Sequence, residues 1–246
     1  MYGGMKLKAS LFITCIADLM YADVGKSVVN VLKRSGVKLD FPEGQTCCGQ
    51  PAFSSGYYKE TVKVAKKVIE VFERSERVVI PSGSCAAMIH HGYPTLFAND
   101  PVWKKKADEF VAKSYEFSQF LVDVMKLTDV GATFKKKVTY HSSCHMTRLL
   151  GVEEQPKILL KNVKGLDFIP LPFAFDCCGF GGTFSMKLAD ISGAILEEKV
   201  DNIISTGADV LAGSDLTCLM NIGGRLSRRG SPVKVMHLAQ VLDQGV

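Results

Sequence analysis

The eight cysteines of this chain fall into two copies of one pattern. Each copy has a single cysteine, then an adjacent pair followed by glycine, then a fourth cysteine. The members of the second copy follow those of the first at separations of 129, 130, 130 and 133 residues, which leaves no cysteine outside the pattern. An internal duplication is the simplest explanation. The two sets are Cys15, Cys47, Cys48 and Cys85, and Cys144, Cys177, Cys178 and Cys218.

The sequence around the cysteines repeats as well. QTCCGQPAFSSG in the first half matches FDCCGFGGTFSM in the second. An apolar, β-favouring stretch precedes Cys15 and Cys144, and a short apolar strand breaks into a turn before Cys85 and Cys218. Cysteines at the ends of strands lie at the edge where open α/β sheets bind ligands.

Helical and strand patterns alternate within each half. Apolar residues recur at helical spacing over 24–32, 62–72 and 188–203. Short apolar runs that predict strands lie at 8–14, 77–81, 137–141 and 209–212. This alternation predicts an α/β fold with two pseudo-symmetric, Rossmann-like βαβ halves and largely parallel sheets.

The repeat also predicts the organisation of the chain. We expect a first cysteine-rich half at 5–98, connecting helices at 99–136 and a second cysteine-rich half at 137–246. With 47% hydrophobic and 22% charged residues, the chain has the composition of a globular protein. It shows no signal-peptide pattern and no apolar run of about 18 residues, so we expect a cytoplasmic protein without a membrane span.

The net charge of +5 comes partly from short basic runs. These runs lack the interleaved aromatic residues of a nucleic-acid-binding surface. We interpret them as solvated helix ends and turns, with the docking of an acidic protein as the alternative. They lie at 104–106, 135–137 and 228–229.

Reduced cysteines in a cytoplasmic chain favour metal binding or catalysis over structural disulfides. Structural zinc sites usually use C-x-x-C elements, whereas adjacent thiolates can take different irons of one cluster. The glycine after each pair, Gly49 or Gly179, lets the backbone approach such a cluster closely. We therefore expect one or two iron–sulfur clusters per chain, with zinc and with catalytic or buried structural thiols as alternatives.

The spacings C-x31-C-C-G-x35-C and C-x32-C-C-G-x38-C resemble the CCG, or cysteine-rich, domain. This domain occurs twice in one of the subunits of heterodisulfide reductase, and twice in the iron–sulfur subunits of glycolate oxidase and anaerobic glycerol-3-phosphate dehydrogenase. With two such halves, the chain as a whole resembles the lactate utilization protein A family. The resemblance implies 4Fe–4S clusters held by the eight cysteines.

The same resemblance implies an electron-transfer subunit for the oxidation of L-lactate to pyruvate. Its implied partners are a ferredoxin-type iron–sulfur subunit and a third lactate utilization protein. The alternatives are a thiol/disulfide redox subunit like that of heterodisulfide reductase, and an iron–sulfur subunit for glycolate or glycerol-3-phosphate oxidation. The chain has no Walker A, H-E-x-x-H or G-x-S-x-G motif. We therefore expect a component of an oxidoreductase complex without complete catalytic machinery, and we assign no catalytic residue.

The chain departs from the full CCG pattern at one position in each half. The pattern ends in C-x-x-C, but Ser82 and Asp215 stand where its first cysteine is expected. Four cysteines per half still suit an ordinary 4Fe–4S cluster, and either residue offers oxygen ligation. The missing thiolates argue against a five-cysteine noncubane cluster and against disulfide chemistry.

The segment HSSCH supplies further candidates, because His141 and His145 flank Cys144 and Arg148 follows. A histidine can ligate iron or hydrogen-bond a cluster sulfur, and a satisfied histidine is the alternative. Arg148 can offset the charge of a reduced cluster, with a surface salt bridge as the alternative. The glycine-rich stretch at 179–184 lacks G-x-G-x-x-G spacing, which argues against dinucleotide binding.

Overall fold

The structure is a computed structural model, and residues 7–245 of it are described. Each half of the chain builds a sheet of four strands, and every pairing in both sheets is parallel. The strands are β1 (Lys8–Leu11), β2 (Lys38–Asp40), β3 (Val78–Ile80), β4 (Ser114–Glu116), β5 (Lys137–His141), β6 (Asp167–Phe168), β7 (Val210–Gly213) and β8 (Lys234–His237). Their orders, β2-β1-β3-β4 and β6-β5-β7-β8, are the same arrangement made twice.

Helices connect the strands, as parallel pairing requires. In chain order, the α-helices are α1 (Cys15–Met20), α2 (Ala22–Arg34), α3 (Gln50–Ser54), α4 (Tyr58–Val71), α5 (Gly83–Ala87), α6 (Tyr93–Leu96), α7 (Pro101–Ala112), α8 (Phe117–Gln119), α9 (Glu154–Lys161), α10 (Thr183–Lys187), α11 (Ala189–Ser205), α12 (Leu216–Arg228) and α13 (Leu238–Leu242). Short π-helical segments lie at Met88–Gly92, Phe120–Val124 and His145–Leu149. Within residues 7–245, we find no helix with the length and apolar character needed to cross a membrane.

The two sheets share a central hydrophobic core. One cluster of buried side chains contains Leu11 and Val79 from the first sheet together with Val138 and Ala212 from the second. The opposite face of the first sheet packs on α4, and that of the second packs on α11. Burial on both faces is typical of parallel sheets, and the sequences of their strands are therefore short apolar runs.

The C-terminal helix α13 ties the second half to the first. It packs against α2, and the Arg34 guanidinium donates to the Leu242 carbonyl at 2.6 Å and to the Asp243 carboxylate at 3.3 Å. The helical spacing predicted for 24–32 is confirmed, since Val24 and Val28 are buried on this helix. The two halves therefore pack together through residues at the end of the chain.

The predicted fold class, two α/β halves with parallel sheets, is confirmed, and each strand predicted from an apolar run is present. The segment at 99–136, predicted as connecting helices, also contains β4, which pairs with β3 at the edge of the first sheet. Its three residues, Ser-Tyr-Glu, form no apolar run, so only pairing with a neighbouring strand defines them as a strand.

Candidate metal centres

The first four cysteines meet at the carboxyl ends of β1 and β3. Cys15 begins α1, Cys85 lies in α5, and Cys47 and Cys48 lie in the loop before α3. The Sγ atoms of Cys15 and Cys47 are 3.6 Å apart, and those of Cys48 and Cys85 are 3.3 Å apart. All four line one cavity of about 340 Å³. The fold thus brings together thiols that lie up to 70 positions apart in the sequence.

The second set repeats this arrangement at the ends of β5 and β7. Cys144 and Cys177 face the same space, and the Sγ atoms of Cys178 and Cys218 are 3.2 Å apart. These four line a second cavity of about 150 Å³. Each half therefore presents four thiols to one space, and all eight thiols are free rather than joined in disulfides.

One thiol in each set is held ready to be a thiolate. Hydrogen bonds from Cys15 and Cys48 hold the pKa of Cys47 far below its usual value, and hydrogen bonds from Cys144 and Cys178 do the same for the pKa of Cys177. The thiolate is the form that ligates metals. Each set is thus prepared to bind a positively charged centre.

The glycine after each cysteine pair supports this thiolate directly. The Gly49 amide donates to Cys47 Sγ at 3.4 Å, and the Gly179 amide donates to Cys177 Sγ at 3.3 Å. Both glycines have positive φ, 87° and 80°, a conformation that other residues adopt only with strain. The glycines therefore turn the backbone so that its N–H faces the sulfur.

Ser82 and Asp215, the residues in place of the missing thiols, are helix N-caps. Ser82 Oγ accepts from the Cys85 amide at 3.3 Å, and Asp215 Oδ1 accepts from the Thr217 amide at 3.2 Å. Asp215 Oδ2 also accepts from the Ser84 amide of the other half at 2.8 Å. Hydrogen bonds therefore engage both carboxylate oxygens, so the capping role accounts for Asp215 without metal ligation.

The two cysteine cavities adjoin across the boundary between the halves. Ser84 and Asp215, which are hydrogen-bonded to each other, line both cavities, as do Gln50 and Phe180. A second contact also crosses the boundary, because Gln50 Nε2 lies 3.2 Å from His145 Nε2. The two four-cysteine sites are therefore neighbours that share a wall.

The structure separates the two candidates that follow Cys144. His145 lines the second cavity, and its Nδ1 lies 3.6 Å from Cys144 Sγ, so it is placed to contact a bound group. Arg148 is exposed and donates to the Phe175 carbonyl at 3.2 Å, outside the residues that line either cavity. Its contact supports the loop before Cys177 rather than the site itself.

A more deeply placed histidine is His141, the last residue of β5. One of its ring nitrogens and the sulfurs of Cys178 and Cys218 lie within 4.8 Å of one another. His141 is buried, and among residues 7–245 neither of its ring nitrogens has a hydrogen-bond partner. Sequence reasoning placed His141 near Cys144 only, and its proximity to the other cysteines follows from the pairing of β5 with β7.

The donor set of each site fits an iron–sulfur cluster. Four thiols converge on one cavity, and sulfur is the ligand that such clusters use. Around the second set, His141, Ser142 and Ser143 carry buried polar atoms that find no partner within the described part of the chain. A buried polar group without a partner is costly, and the sulfurs of a bound cluster would accept its hydrogen bond.

The fold as a whole has a counterpart among solved structures. A hypothetical protein from Helicobacter pylori superposes with a TM-score of 0.62 at 12% sequence identity, over 97% of this chain and 49% of that one. The chain thus spans about half the length of that structure. At this identity the likeness concerns the fold.

Sequence comparison is more specific. Residues 9–90 and 138–223 both match the CCG cysteine-rich domain family. The lactate utilization protein A of Bacillus licheniformis is 55% identical over 96% of this chain and 99% of its own length. The protein of that name from Halalkalibacterium halodurans is 56% identical over 96% of this chain and 97% of its own length. The chain therefore belongs to the lactate utilization protein A family, whose members it matches over nearly their full length with two CCG domains.

Proposed function

We propose that the protein is an iron–sulfur electron-transfer subunit of a multi-protein system that oxidises L-lactate to pyruvate. The observation that carries this proposal is the pair of four-thiol sites built by equivalent elements of the two halves. The curated relatives are named for lactate utilization, which supports lactate as the substrate of the system. The thiols support the redox role.

Each site would hold one 4Fe–4S cluster, a group that stores and releases one electron at a time. Cys15, Cys47, Cys48 and Cys85 would hold the first cluster, and Cys144, Cys177, Cys178 and Cys218 the second. The deepest thiols of each set, such as Cys48 and Cys178, are buried, while Cys47 and Cys177 are half-buried. This gradient leaves one side of each site near the surface, where a partner can exchange electrons.

Other residues of the chain support this role because they hold the cysteines in position. The Gly49 and Gly179 amides donate to a cysteine sulfur, and hydrogen bonds of this kind stabilise negative charge on a cluster. The Tyr93 hydroxyl donates to the Cys48 carbonyl at 3.1 Å, and Asn221 Nδ2 donates to the Cys178 carbonyl at 2.9 Å. These contacts hold each cysteine pair in place.

Oxidation of lactate to pyruvate removes two electrons and two protons. We infer that the hydride-accepting chemistry belongs to a partner, because the sequence carries no recognisable flavin or nicotinamide motif. The partners in this proposal are a ferredoxin-type iron–sulfur subunit and a third lactate utilization protein. In a cytoplasmic complex of this kind, clusters held by the eight cysteines of this chain would carry the electrons one at a time.

Anaerobic purification of the full chain, with iron and sulfide analysis and electron paramagnetic resonance, tests the proposal. We expect about four iron ions per four-cysteine site, and reduction of the clusters when both partners and L-lactate are added. Tightly held zinc with no iron after reconstitution would contradict the redox role. Clusters that respond to a heterodisulfide and not to lactate with the partners would favour the heterodisulfide reductase alternative.

A further inference from the structure

The two four-cysteine sites are built alike but are lined differently. In the first sheet Ser10 pairs with Val78, and in the second Thr139 pairs with Leu211. This register makes β1 equivalent to β5, and it agrees with the spacing of 129 residues between the first cysteines of the two sets. Three residues before each of these cysteines, the first half has Phe12 and the second has His141. Both side chains are buried, so an apolar ring in one half replaces an imidazole in the other.

A second exchange occurs on the helix that covers each sheet. The pattern of buried and exposed positions over 61–72, along α4, matches that over 192–203, along α11, at every position but one. In this alignment Val68 of the first half corresponds to Lys199 of the second, and each of the two residues is 1% exposed. Lys199 Nζ donates to the Phe173 carbonyl at 2.6 Å. The second half therefore buries a cation where the first buries an apolar side chain.

This cation lies close to the second set of cysteines. Burial lowers the pKa of Lys199 from its usual value, while the charges of Asp176, Cys178 and Cys177 raise it. The Asp176 amide donates to the same Phe173 carbonyl at 3.0 Å, so the ammonium of Lys199 is bonded to the turn that leads directly into Cys177. Lys199 thus adds positive potential to the second site.

The two residues between the exchanged ring and the cysteine differ less. Ser142 of the second half replaces Ile13, and its buried hydroxyl finds no hydrogen-bond partner among residues 7–245. Ser143 replaces Thr14, so both halves keep a buried hydroxyl at that position.

His145, next to Cys144, replaces Ile16 and adds a half-buried imidazole to the second site. Asp215 replaces Ser82, but it lines both cavities, so both sites share its carboxylate. The buried basic groups that the second site has and the first lacks are therefore the imidazole of His141 and the ammonium of Lys199.

The cysteines themselves are equally exposed and equally supported in the two halves. The first cysteine of each set is half-buried, as is the first of each adjacent pair, while the other four cysteines are buried. A glycine amide donates to the equivalent sulfur in each half, at 3.4 and 3.3 Å. Exposure and backbone hydrogen bonding therefore do not separate the sites, and the difference lies in the exchanged side chains.

We propose that the second centre, held by Cys144, Cys177, Cys178 and Cys218, has a higher reduction potential than the first, because His141 and Lys199 stabilise its reduced form. This inference rests on the proposed iron–sulfur function. Reduction adds one negative charge to a cluster, and hydrogen bonds to sulfur and nearby positive charge favour that added charge. Phe12 and Val68 offer the first centre neither. When both clusters are present and one electron is supplied, the second centre is reduced and the first stays oxidised.

Redox titration of the anaerobically reconstituted full chain, followed by electron paramagnetic resonance, tests this order. We expect two one-electron waves. The Cys178→Ser variant should retain only the wave at lower potential, and the Cys48→Ser variant only the wave at higher potential. A reversed order, or two centres of equal potential, overturns the inference while leaving the proposed function intact. If no iron is bound at all, the proposed function fails, and the inference with it.

A second set of variants tests the residues themselves. Replacing His141→Phe and Lys199→Met together should lower the reduction potential of the second centre by at least about 59 mV. For a one-electron reduction, this shift is a tenfold change in the equilibrium constant. The reduction potential of the first centre should not change. Lys67→Met and His91→Phe are the matched controls, since both residues are exposed, and they should change neither wave. An unchanged second wave in the double variant, with iron retained, refutes the assignment.

If the double variant loses iron, His141→Phe and Lys199→Met made separately take its place. Each should lower the potential of the second centre alone by a smaller amount. No shift in either single variant, with full iron content, counts against the inference in the same way.

Discussion

The two halves of the chain differ far less in what holds a bound group than in what surrounds it. Both halves keep four cysteines, a glycine of positive φ and an N-cap at the fourth cysteine's helix. Around these, the first half is apolar, with Phe12 and Val68, and the second is polar, with His141 and Lys199. A duplicated site can therefore retain its ligands while its redox properties diverge through the lining.

The boundary between the halves is also asymmetric. Ser82 caps its own helix and bonds to Ser84, whereas Asp215 caps its own helix and also accepts from the Ser84 amide in the other half. One residue of the second copy thus joins the copies, and its equivalent in the first does not.

The largest expected effect separates the two sites by their iron. Cys48→Ser should remove the cluster of the first half, and Cys178→Ser that of the second, because each change deletes one of four thiolate ligands. Each variant should keep about half of the iron of the unmodified chain, because the other site is intact. Iron analysis after anaerobic reconstitution measures this. Unchanged iron in both variants would contradict the ligand assignment.

Glu116 and His237 occupy equivalent positions with opposite pH behaviour. They end β4 and β8, and each caps the next helix through a capping box. Burial raises the pKa of Glu116 to about 7, and the charge of Asp215 also raises it. Burial lowers the pKa of His237 to about 4. The folded state thus favours the neutral form of both side chains.

The signs of the two contributions follow from these shifts. Glu116 contributes stability that is present below its unfolded pKa near 4.5 and is lost as pH rises through about 7. His237 contributes stability that is present above its unfolded pKa near 6.5 and is lost as pH falls through about 4. Each contribution amounts to roughly 3 kcal/mol over its full range.

Isosteric variants isolate each contribution. Relative to the unmodified chain, the free energy of unfolding of Glu116→Gln should increase as pH rises from about 5 to about 7. That of His237→Gln should increase, on the same relative scale, as pH falls from about 6.5 to about 4. Urea unfolding under reducing conditions at the ends of each interval measures the difference. If both variants follow the pH profile of the unmodified chain, the two groups do not titrate as described.

The asymmetric boundary predicts a smaller contrast between the two caps. Asp215→Ala should lower the free energy of unfolding by about 2–4 kcal/mol, since it removes a cap and leaves the buried Ser84 amide without its acceptor. Ser82→Ala should cost about 1 kcal/mol, the usual value for a lost cap. Denaturant unfolding of both variants measures which loses more free energy of unfolding. Equal losses would show that Asp215 does not bridge the halves.

The smallest contrast concerns the two glycines beside the cysteine pairs. A Cβ at Gly179 would lie 2.6 Å from the Ser192 carbonyl oxygen, whereas one at Gly49 would lie 3.1 Å from Thr61 Cγ2, a side-chain atom that can move. Both changes strain a positive φ, so Gly179→Ala should cost about 1 kcal/mol more than Gly49→Ala in denaturant unfolding.

The control for this pair is Gly224→Ala. This position lies within α12, and an added Cβ meets no atom within 4 Å, so the variant should be slightly more stable than the unmodified chain. A loss at Gly49 as large as that at Gly179 would show that backbone strain, and not the clash with Ser192, decides the cost.

Several features were predictable from local sequence. The runs before Cys15 and Cys144 predicted β1 and β5, and the helical spacing around Val24 and Val28 predicted α2. These signals are local, because an apolar run or a helical period depends on neighbouring residues. β2, β4, β6 and β8 escaped prediction, since each has only two to four residues and becomes a strand by pairing with a neighbouring strand.

The candidate site divides in the same way. The cysteines and glycines were visible as a repeat, and the matching positions of Ser82 and Asp215 followed from it. Lys199 carried no signal of its own, because a lysine in a helix is usually exposed. The exchange of Val68 for Lys199 becomes apparent only when α4 and α11 are aligned by their buried and exposed positions, which the tertiary structure supplies.

By itself, the sequence determined the duplication, the eight thiols and the alternation of strand and helix, because residue type and spacing encode them directly. Tertiary structure alone decided that His141 lies beside Cys178 and Cys218, that Lys199 is buried nearby, and that Asp215 holds the other half. These contacts join residues far apart in the chain, and only the packing of sheets and helices brings their side chains together.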